Sequence, residues 1–198
     1  MTNTQFDIAI IGGGPGGYVA AIRAAQLGLE PVVIEREILG GICLNWGCIP
    51  TKALLRAAEL RHSIDEMADF GITVGEVKVD LAAVVKRSRK VAGRLSMGVK
   101  HLLKKNKVTV IAAEAKLGAA KGGLRQINLS NGETVSAKNV IIATGAHARA
   151  LPNFEANGKT ILTYREAMVP GTMPESLIIV GSGAIGSEFA SFYHDMGV

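Results

Sequence analysis

The fold is decided by residues 6–17, FDIAIIGGGPGG, in which an almost wholly apolar run leads directly into glycines. Such a run is typical of a central parallel strand that is buried on both faces. Gly12, Gly14 and Gly17 then satisfy the pattern G-x-G-x-x-G. The first glycine of this pattern makes a tight turn, the second lets backbone amides approach a pyrophosphate, and the third lets helix and strand touch. We therefore predict a strand, a glycine turn and a helix whose N-terminus favours phosphate.

The residues that follow complete a β-α-β unit. Small side chains allow a helix to lie close to a sheet, and Gly28 is placed to end that helix; they are Ala20, Ala21, Ala24 and Ala25. Residues 31–35, PVVIE, predict a second strand that ends in an acid 23 positions after Gly12. This spacing is near the roughly 20 residues expected for a carboxylate that binds a ribose hydroxyl.

The same pattern recurs 169 residues later. Ala21 and Gly28 follow Gly12 by 9 and 16 places, and Ala190 and Gly197 follow Gly181 by the same offsets. Residues 177–180, LIIV, again predict a buried strand, and a second glycine turn follows, formed by Gly181, Ser182, Gly183, Ala184, Ile185 and Gly186. We therefore predict two dinucleotide sites. The second copy stops at Val198, before a second strand.

Two further signals lie between the copies. Residues 140–145, VIIATG, predict a strand that runs into a small-residue turn, suited either to close approach of a ligand or to a plain strand-to-loop junction. Residues 108–135 contain short strands separated by glycines and predict a small antiparallel sheet. Asn131-Gly132 is a strong hairpin turn signal within it.

Composition and charge place the chain among ordinary globular proteins. Of its 198 residues 48% are hydrophobic and 20% charged, which argues against a disordered tail or a disulfide-rich miniprotein. No apolar run reaches the roughly 18 residues that cross a bilayer, and the first residues lack the features of a secretory signal, so we expect a cytoplasmic location.

The net charge of +5 comes from one segment. Residues 86–107 hold nine basic residues and no acid, which leaves 13 basic against 17 acidic residues elsewhere, or −4. Apolar residues recur there at helical spacing and predict an amphipathic helix; they are Leu81, Val84, Val85, Val91, Leu95, Val99, Leu102 and Leu103. Its charged face is either a solvated surface or a docking surface for an acidic partner.

Cys43 and Cys48 are the only cysteines of the sequence. Two thiolates leave a zinc site half empty, and no histidine falls between Phe6 and Leu60, so we expect no metal. A structural disulfide over so short a loop would constrain the unfolded chain little, and reversible dithiol–disulfide exchange remains.

Pro50 suits the first turn of a helix, which puts Cys48 just before a helix N-terminus. The helix dipole is worth up to about 2 kcal/mol, enough to bring a cysteine pKa from about 8.5 to roughly 7.

These residues carry a family resemblance. The pattern G-G-x-C-x-N-x-G-C-x-P-x-K, over residues 40–52 and between two dinucleotide fingerprints, resembles the flavoprotein disulfide reductases, the pyridine nucleotide-disulfide oxidoreductases of class I. Residues 41–55 are most similar to the members that oxidise dihydrolipoamide. The glutathione and mercuric types share the cysteine spacing but differ after the second cysteine.

The resemblance implies an α/β, Rossmann-like fold with a parallel sheet and a small antiparallel meander. It implies an FAD-binding domain over residues 1–150, and a linker with the start of a second Rossmann-like, NAD-binding domain over residues 151–198. Cys43 would exchange with substrate and Cys48 would contact the flavin, while Lys52 and Glu188 would pair beside it. The implied FAD contacts are Gly12, Gly14, Pro15, Gly17, Glu35, Arg36, Gly40, Gly41, Ile42, Cys43, Lys52, Ala115, Ala143, Thr144 and Gly145, and the implied NAD contacts are residues 181–186.

The implied reaction is a relay in which dihydrolipoamide reduces the Cys43–Cys48 disulfide and FAD passes the electrons to NAD⁺. The implied partners are a lipoyl-bearing acyltransferase of a 2-oxoacid dehydrogenase complex and a second copy in a homodimer. Family members are more than twice as long, and a histidine base from the missing part is not matched by His62, His101, His147 or His194. We therefore expect that 198 residues alone retain flavin poorly and do not turn over. The alternatives are another reductase of the same family and a non-catalytic flavin-binding or docking module.

Overall fold

The computed structural model describes residues 4–149 and 151–198. Its elements in chain order are β1 (Gln5–Ile11), α1 (Pro15–Gln26), β2 (Pro31–Glu35), α2 (Gly41–Trp46), α3 (Cys48–Glu66), a 3₁₀ helix (Met67–Phe70), α4 (Leu81–Lys105), β3 (Thr109–Ala112), β4 (Ala115–Lys121), β5 (Leu124–Leu129), β6 (Thr134–Ile142), α5 (Tyr164–Met168) and α6 (Ala184–Asp195). They form two compact units, the first of residues 4–45 and Gly93–Ala146 and the second of Trp46–Ala92 and the described part of His147–Val198. The predicted domain boundary falls at residue 150, which lies outside the described residues, and it stays a prediction.

The first unit is built on one six-stranded sheet with the order β3-β2-β1-β6-β5-β4. Strand β1 pairs in parallel with both β2 and β6, so Ile10 lies opposite Val33 on one side and Ile141 on the other. Ile10, Val32 and Val33 are fully buried, as expected for central strands covered on both faces. The predicted α/β class with a parallel sheet is confirmed.

The antiparallel part of this sheet is confirmed with one correction. Strands β4, β5 and β6 pair antiparallel, and the Asn131-Gly132 turn closes the hairpin through a hydrogen bond from Gly132 N to Leu129 O at 3.0 Å. Strand β3, however, pairs in parallel with β2, so its assignment to the antiparallel meander was wrong. Strand direction is decided by the partner that the chain finds in space, and a short apolar run does not specify it.

Helix α4 confirms the predicted amphipathic helix, and its buried face is narrower than the predicted apolar pattern. Ser88, Ala92, Val99 and Leu103 form a buried stripe, with spacings of four and seven residues that keep them on one side of the helix. Leu95 and Leu102, which also belong to the predicted apolar pattern, lie at the edge of this stripe and are 42% and 44% exposed.

The second glycine turn is followed by a helix, as predicted, but not preceded by a strand. Residues 177–180 have no strand assignment, and Ile178 and Val180 are 90% and 67% exposed. The prediction of a buried strand was therefore wrong for this chain. A strand needs a neighbour for its backbone hydrogen bonds, and within residues 4–149 and 151–198 this segment pairs with none.

The second unit has its own apolar core, in which α3 and α6 pack together with α5. Its buried members are Leu54, Ala58, Met168, Phe189, Phe192 and Tyr193. The Tyr193 hydroxyl donates to Ala167 O at 2.7 Å, and burial raises the pKa of Tyr193 to about 12. Helix α5, although only five residues long, is therefore tied to this core.

Helix α5 also has a complete capping box, and its removal gives a first prediction. Thr163 Oγ1 accepts from Arg165 N, and Glu166 accepts from Thr163 N at 2.8 Å. We expect Thr163→Ala to lower the free energy of unfolding by about 1 kcal/mol in urea titrations. Hydrogen bonds from Thr163 lower the pKa of Glu166 below its usual 4.5, so its contribution is present above pH 4.5 and is lost as pH falls through the lower folded value. The variant should lose the part of this acid dependence that comes from the Thr163 hydroxyl, because the backbone N–H of residue 163 still donates to Glu166. An unchanged dependence would contradict the assignment.

In the part of the chain that the structure describes, no helix combines the length and the apolar character needed to span a membrane.

Candidate redox and nucleotide sites

The first glycine turn joins β1 to α1 and is built from close backbone contacts. Gly12 N donates to Ile34 O at 2.9 Å. A Cβ atom on Gly12 would lie 2.7 Å from the carbonyl carbon of Ala143, and one on Gly17 would overlap the carbonyl oxygen of Gly12. The turn therefore accepts no side chain at either position, as the three-glycine pattern predicts.

The carboxylate of Glu35 is directed at this turn. Its Oε2 accepts from Gly13 N at 2.6 Å and its Oε1 accepts from Glu37 N at 2.8 Å. Helix α1 begins at Pro15 after the N-cap Gly14, which provides no side-chain cap. An uncapped helix N-terminus beside a bare glycine turn fits a pyrophosphate, and a carboxylate at the end of β2 fits a ribose. These residues therefore fit the adenine dinucleotide part of FAD.

Most of the other predicted FAD contacts of the first unit lie around the same turn. Gly40 N donates to Gly13 O at 2.8 Å, and a Cβ atom on Gly41 would lie 2.8 Å from the Cα of Gly14. Ala143 and Thr144 follow β6 and contact Gly12. The remaining predicted residues are located by their exposure or by their secondary-structure element. Arg36 and Gly145 are exposed, and Ile42 belongs to α2. Ala115 is the first residue of β4, and Ala113, two residues before it, donates its amide to Glu35 O.

The two cysteines form a disulfide. Cys43 belongs to α2, and Cys48 is the first residue of α3 rather than the residue just before it, so this helix begins one residue earlier than predicted. Cys48 is exposed and Cys43 is half-buried. Gly47 is the N-cap residue of α3 and makes no side-chain hydrogen bond to the first turn of the helix. No capping side chain therefore offsets the positive end of the helix dipole at Cys48.

Asn45 supports the cysteine segment and was missed by sequence reasoning. Its side chain is 6% exposed and fully hydrogen-bonded: Nδ2 donates to Leu39 O and Gly41 O, at 3.1 and 2.8 Å, and Oδ1 accepts from Ser96 Oγ at 2.8 Å. A buried amide with all these bonds fixes the helix that carries it. The sequence feature that could have identified Asn45 is its position as a polar residue between the two cysteines.

The structure brings Lys52 and Glu188 together as the resemblance implied. Lys52 Nζ on α3 forms an ion pair with Glu188 Oε1 on α6, and their side chains are 61% and 27% exposed. His62, His101, His147 and His194 are all exposed, and His62 contacts Glu66 at 3.2 Å.

The second glycine turn repeats the backbone of the first. Gly183 has φ −72° and ψ 175°, close to the −72° and −175° of Gly14. A Cβ atom on Gly186 would overlap the carbonyl oxygen of Gly181, as one on Gly17 would overlap that of Gly12. Ser182 O accepts from Ser187 Oγ at 3.3 Å, and Ala184 and Ile185 open α6. Residues 181–185 are exposed, so this turn is accessible to a ligand.

Comparison with known proteins covers almost the entire chain. A family model described as pyridine nucleotide-disulphide oxidoreductase matches residues 6–198. A protein of Rhizobium etli named dihydrolipoyl dehydrogenase is 55% identical, over 98% of this chain and 44% of its own length. One of the same name from Zymomonas mobilis is 53% identical, over 98% of this chain and 41% of its own. The chain thus spans less than half the length of these relatives.

A solved structure shows the same fold. The crystal structure of LpdA from Mycobacterium tuberculosis superimposes with a TM-score of 0.88 at 31% identity, over 98% of this chain and 43% of that one.

Proposed function

Because the chain belongs to the pyridine nucleotide-disulphide oxidoreductase family, we propose that the protein containing it is a dihydrolipoyl dehydrogenase, which oxidises protein-bound dihydrolipoamide with NAD⁺. One observation carries this proposal. The Cys43–Cys48 disulfide lies in the segment that immediately follows Gly40 and Gly41, and these two glycines contact the first glycine turn. A redox pair beside a nucleotide turn is what an oxidoreductase acting on sulfur requires.

The chemistry of this chain's own residues is thiol–disulfide exchange. A thiolate of dihydrolipoamide attacks one sulfur, which we propose is that of Cys43, and the Cys43–Cys48 bond breaks as a mixed disulfide forms. The second substrate thiol then displaces Cys43 and closes the lipoamide ring. Two electrons and two protons have passed from the substrate to the cysteines. Cys48 is the leaving thiolate, and its place at the start of α3 stabilises that charge.

The nucleotide-binding residues would hold the two cofactors used by this family. Gly12, Gly14 and Glu35 would bind the pyrophosphate and ribose of FAD, and residues 181–186 would bind NAD. When bound, FAD supplies two-electron chemistry between the dithiol and the nicotinamide. Lys52, held by Glu188, would place a positive charge near the flavin and the cysteines.

The expected partner is the lipoyl-bearing acyltransferase of a 2-oxoacid dehydrogenase complex, and the expected assembly is a homodimer. We place the reaction in the cytoplasm, where thiols are kept reduced and a disulfide of this kind is redox-active.

The direct test is steady-state turnover of the full-length protein. We expect dihydrolipoamide-dependent reduction of NAD⁺, and a visible flavin spectrum that gains long-wavelength absorbance after addition of a dithiol. NADPH-dependent reduction of oxidised glutathione or of Hg²⁺ should be negligible. A preference for either acceptor would move the protein to another reductase type, and a colourless protein without turnover would support the docking module.

A further inference from the structure

Trp46 lies inside the ring that the disulfide closes. Helix α2 ends at Trp46 and helix α3 begins at Cys48, so a single residue, Gly47, separates the two helices. Trp46 is half-buried and packs against the apolar core of the second unit. It therefore anchors residues 46–48, where the two helices meet, in that unit.

Two arginines lie over the Trp46 ring. The guanidinium carbon of Arg89 is 4.4 Å from the ring centroid and that of Arg165 is 5.2 Å away. Both distances are within the roughly 6 Å over which a cation is attracted to an aromatic face. Arg89 is half-buried, and the loss of solvent lowers the pKa of its guanidinium. We call Trp46, Arg89 and Arg165 the Trp46 cluster.

Both arginines are fixed by further contacts in the second unit. Arg89 Nη1 donates to the sulfur of the fully buried Met168 at 3.4 Å. Arg165 Nε donates to the Tyr164 hydroxyl at 3.4 Å. Tyr164 and Arg165 are the first two residues of α5, whose N-terminus is fixed by its capping box. The arginines are thus parts of a packed structure rather than mobile surface charges.

We propose that Arg89 and Arg165 are positioning residues for the redox pair: by holding the Trp46 ring, they keep residues 43–48 in place when the disulfide opens and so favour its closure. The inference rests on the reversible disulfide of the proposed function. Two thiols form a disulfide in proportion to how close they are held, and a freely moving segment would let them separate. In this proposal the cluster acts on the thiols through Trp46, over whose ring both guanidinium groups lie.

The test is the equilibrium between the full-length protein and dithiothreitol. In this exchange the two thiols of dithiothreitol become a ring disulfide, the Cys43–Cys48 bond breaks, and each cysteine sulfur gains a proton. The reduced fraction is measured by alkylation and mass spectrometry across ratios of reduced to oxidised dithiothreitol. We expect reduction to become easier by about threefold in Arg89→Gln and in Arg165→Gln, and by about tenfold in Trp46→Ala. Trp46→Phe keeps an aromatic face and should stay within about threefold of the parent.

A double variant separates positioning from general destabilisation. If Arg89 acts through Trp46, then Arg89→Gln has no further effect in the Trp46→Ala background. Arg94→Gln removes an exposed arginine further along the same helix and should leave the equilibrium unchanged. Circular dichroism confirms that each variant is folded.

Three results would overturn the inference. They are an equilibrium unchanged in both arginine variants, additive effects in the double variant, and a shift towards harder reduction, which would mean that the arginines stabilise the thiolates by charge. Failure of the proposed function looks different, because then dithiothreitol would not open and close the disulfide reversibly in the parent protein.

Discussion

The Cys43→Ser variant of the full-length protein is expected to lose turnover with dihydrolipoamide by more than about a thousandfold. A serine oxygen forms no mixed disulfide with the substrate, so the electron pair has no route from the dithiol. Cys48→Ser should be equally inactive, because the Cys43–Cys48 bond that the substrate opens is absent from both variants. The measurement is the initial rate of NADH formation at saturating substrate.

A second reaction controls for damage to the rest of the site. Reduction of ferricyanide by NADH does not need the cysteines and should continue in both variants. The roles of the two thiols are then separated by exchange with a chromogenic disulfide. Cys43 alone, in Cys48→Ser, should react faster than Cys48 alone, in Cys43→Ser, because in the proposed assignment the bound flavin would cover Cys48, which is otherwise the more exposed of the two. Turnover within tenfold of the parent in Cys43→Ser would refute the exchange chemistry, and the reverse order of reactivity would exchange the two assignments.

The Gly17→Ala variant is expected to lower the free energy of unfolding by at least about 3 kcal/mol. The added Cβ atom would overlap the carbonyl oxygen of Gly12 and lie 2.9 Å from its carbonyl carbon. Both are backbone atoms between β1 and α1, so the clash is relieved only if helix and strand separate. Loss of bound flavin should accompany the loss of stability, because Gly12 is part of the proposed pyrophosphate turn.

Gly16→Ala provides the matched control one residue earlier. Its Cβ atom would lie 4.0 Å from the Cβ of Ala143, an ordinary van der Waals distance. In the first turn of α1, alanine should be neutral or stabilising by up to about 1 kcal/mol. Urea titrations of both variants measure the difference. Equal stabilities for Gly16→Ala and Gly17→Ala would contradict the steric argument.

The elements that sequence reasoning placed correctly are those that local pattern determines. The strand of residues 31–35, the turn at Gly12 and the hairpin at Gly132 each depend on a few neighbouring residues. The Lys52–Glu188 pair came from the family resemblance and not from spacing, because the two residues lie on helices far apart in sequence. The structure confirms that pair, whereas its proposed role at the flavin stays a prediction.

The errors and omissions arose where a distant partner decides the outcome. Strand β3 took its direction from β2, and residues 177–180 remained without a strand because they have no neighbour among the described residues. The hydrogen bond between Asn45 and Ser96 and the arginines over Trp46 join segments that are distant in sequence. No periodicity or motif in one sequence records such contacts.

The two glycine turns place the same restriction on divergence at two points of one polypeptide. Residues 11–28 and 180–197 now differ at most positions, yet both keep glycine at the first, third and sixth places of the turn. At the sixth place the reason is steric in each copy, since Gly17 and Gly186 face a carbonyl oxygen of their own turn. Each turn thus excludes a side chain there by its own geometry, which explains how two segments of such different sequence share one backbone shape.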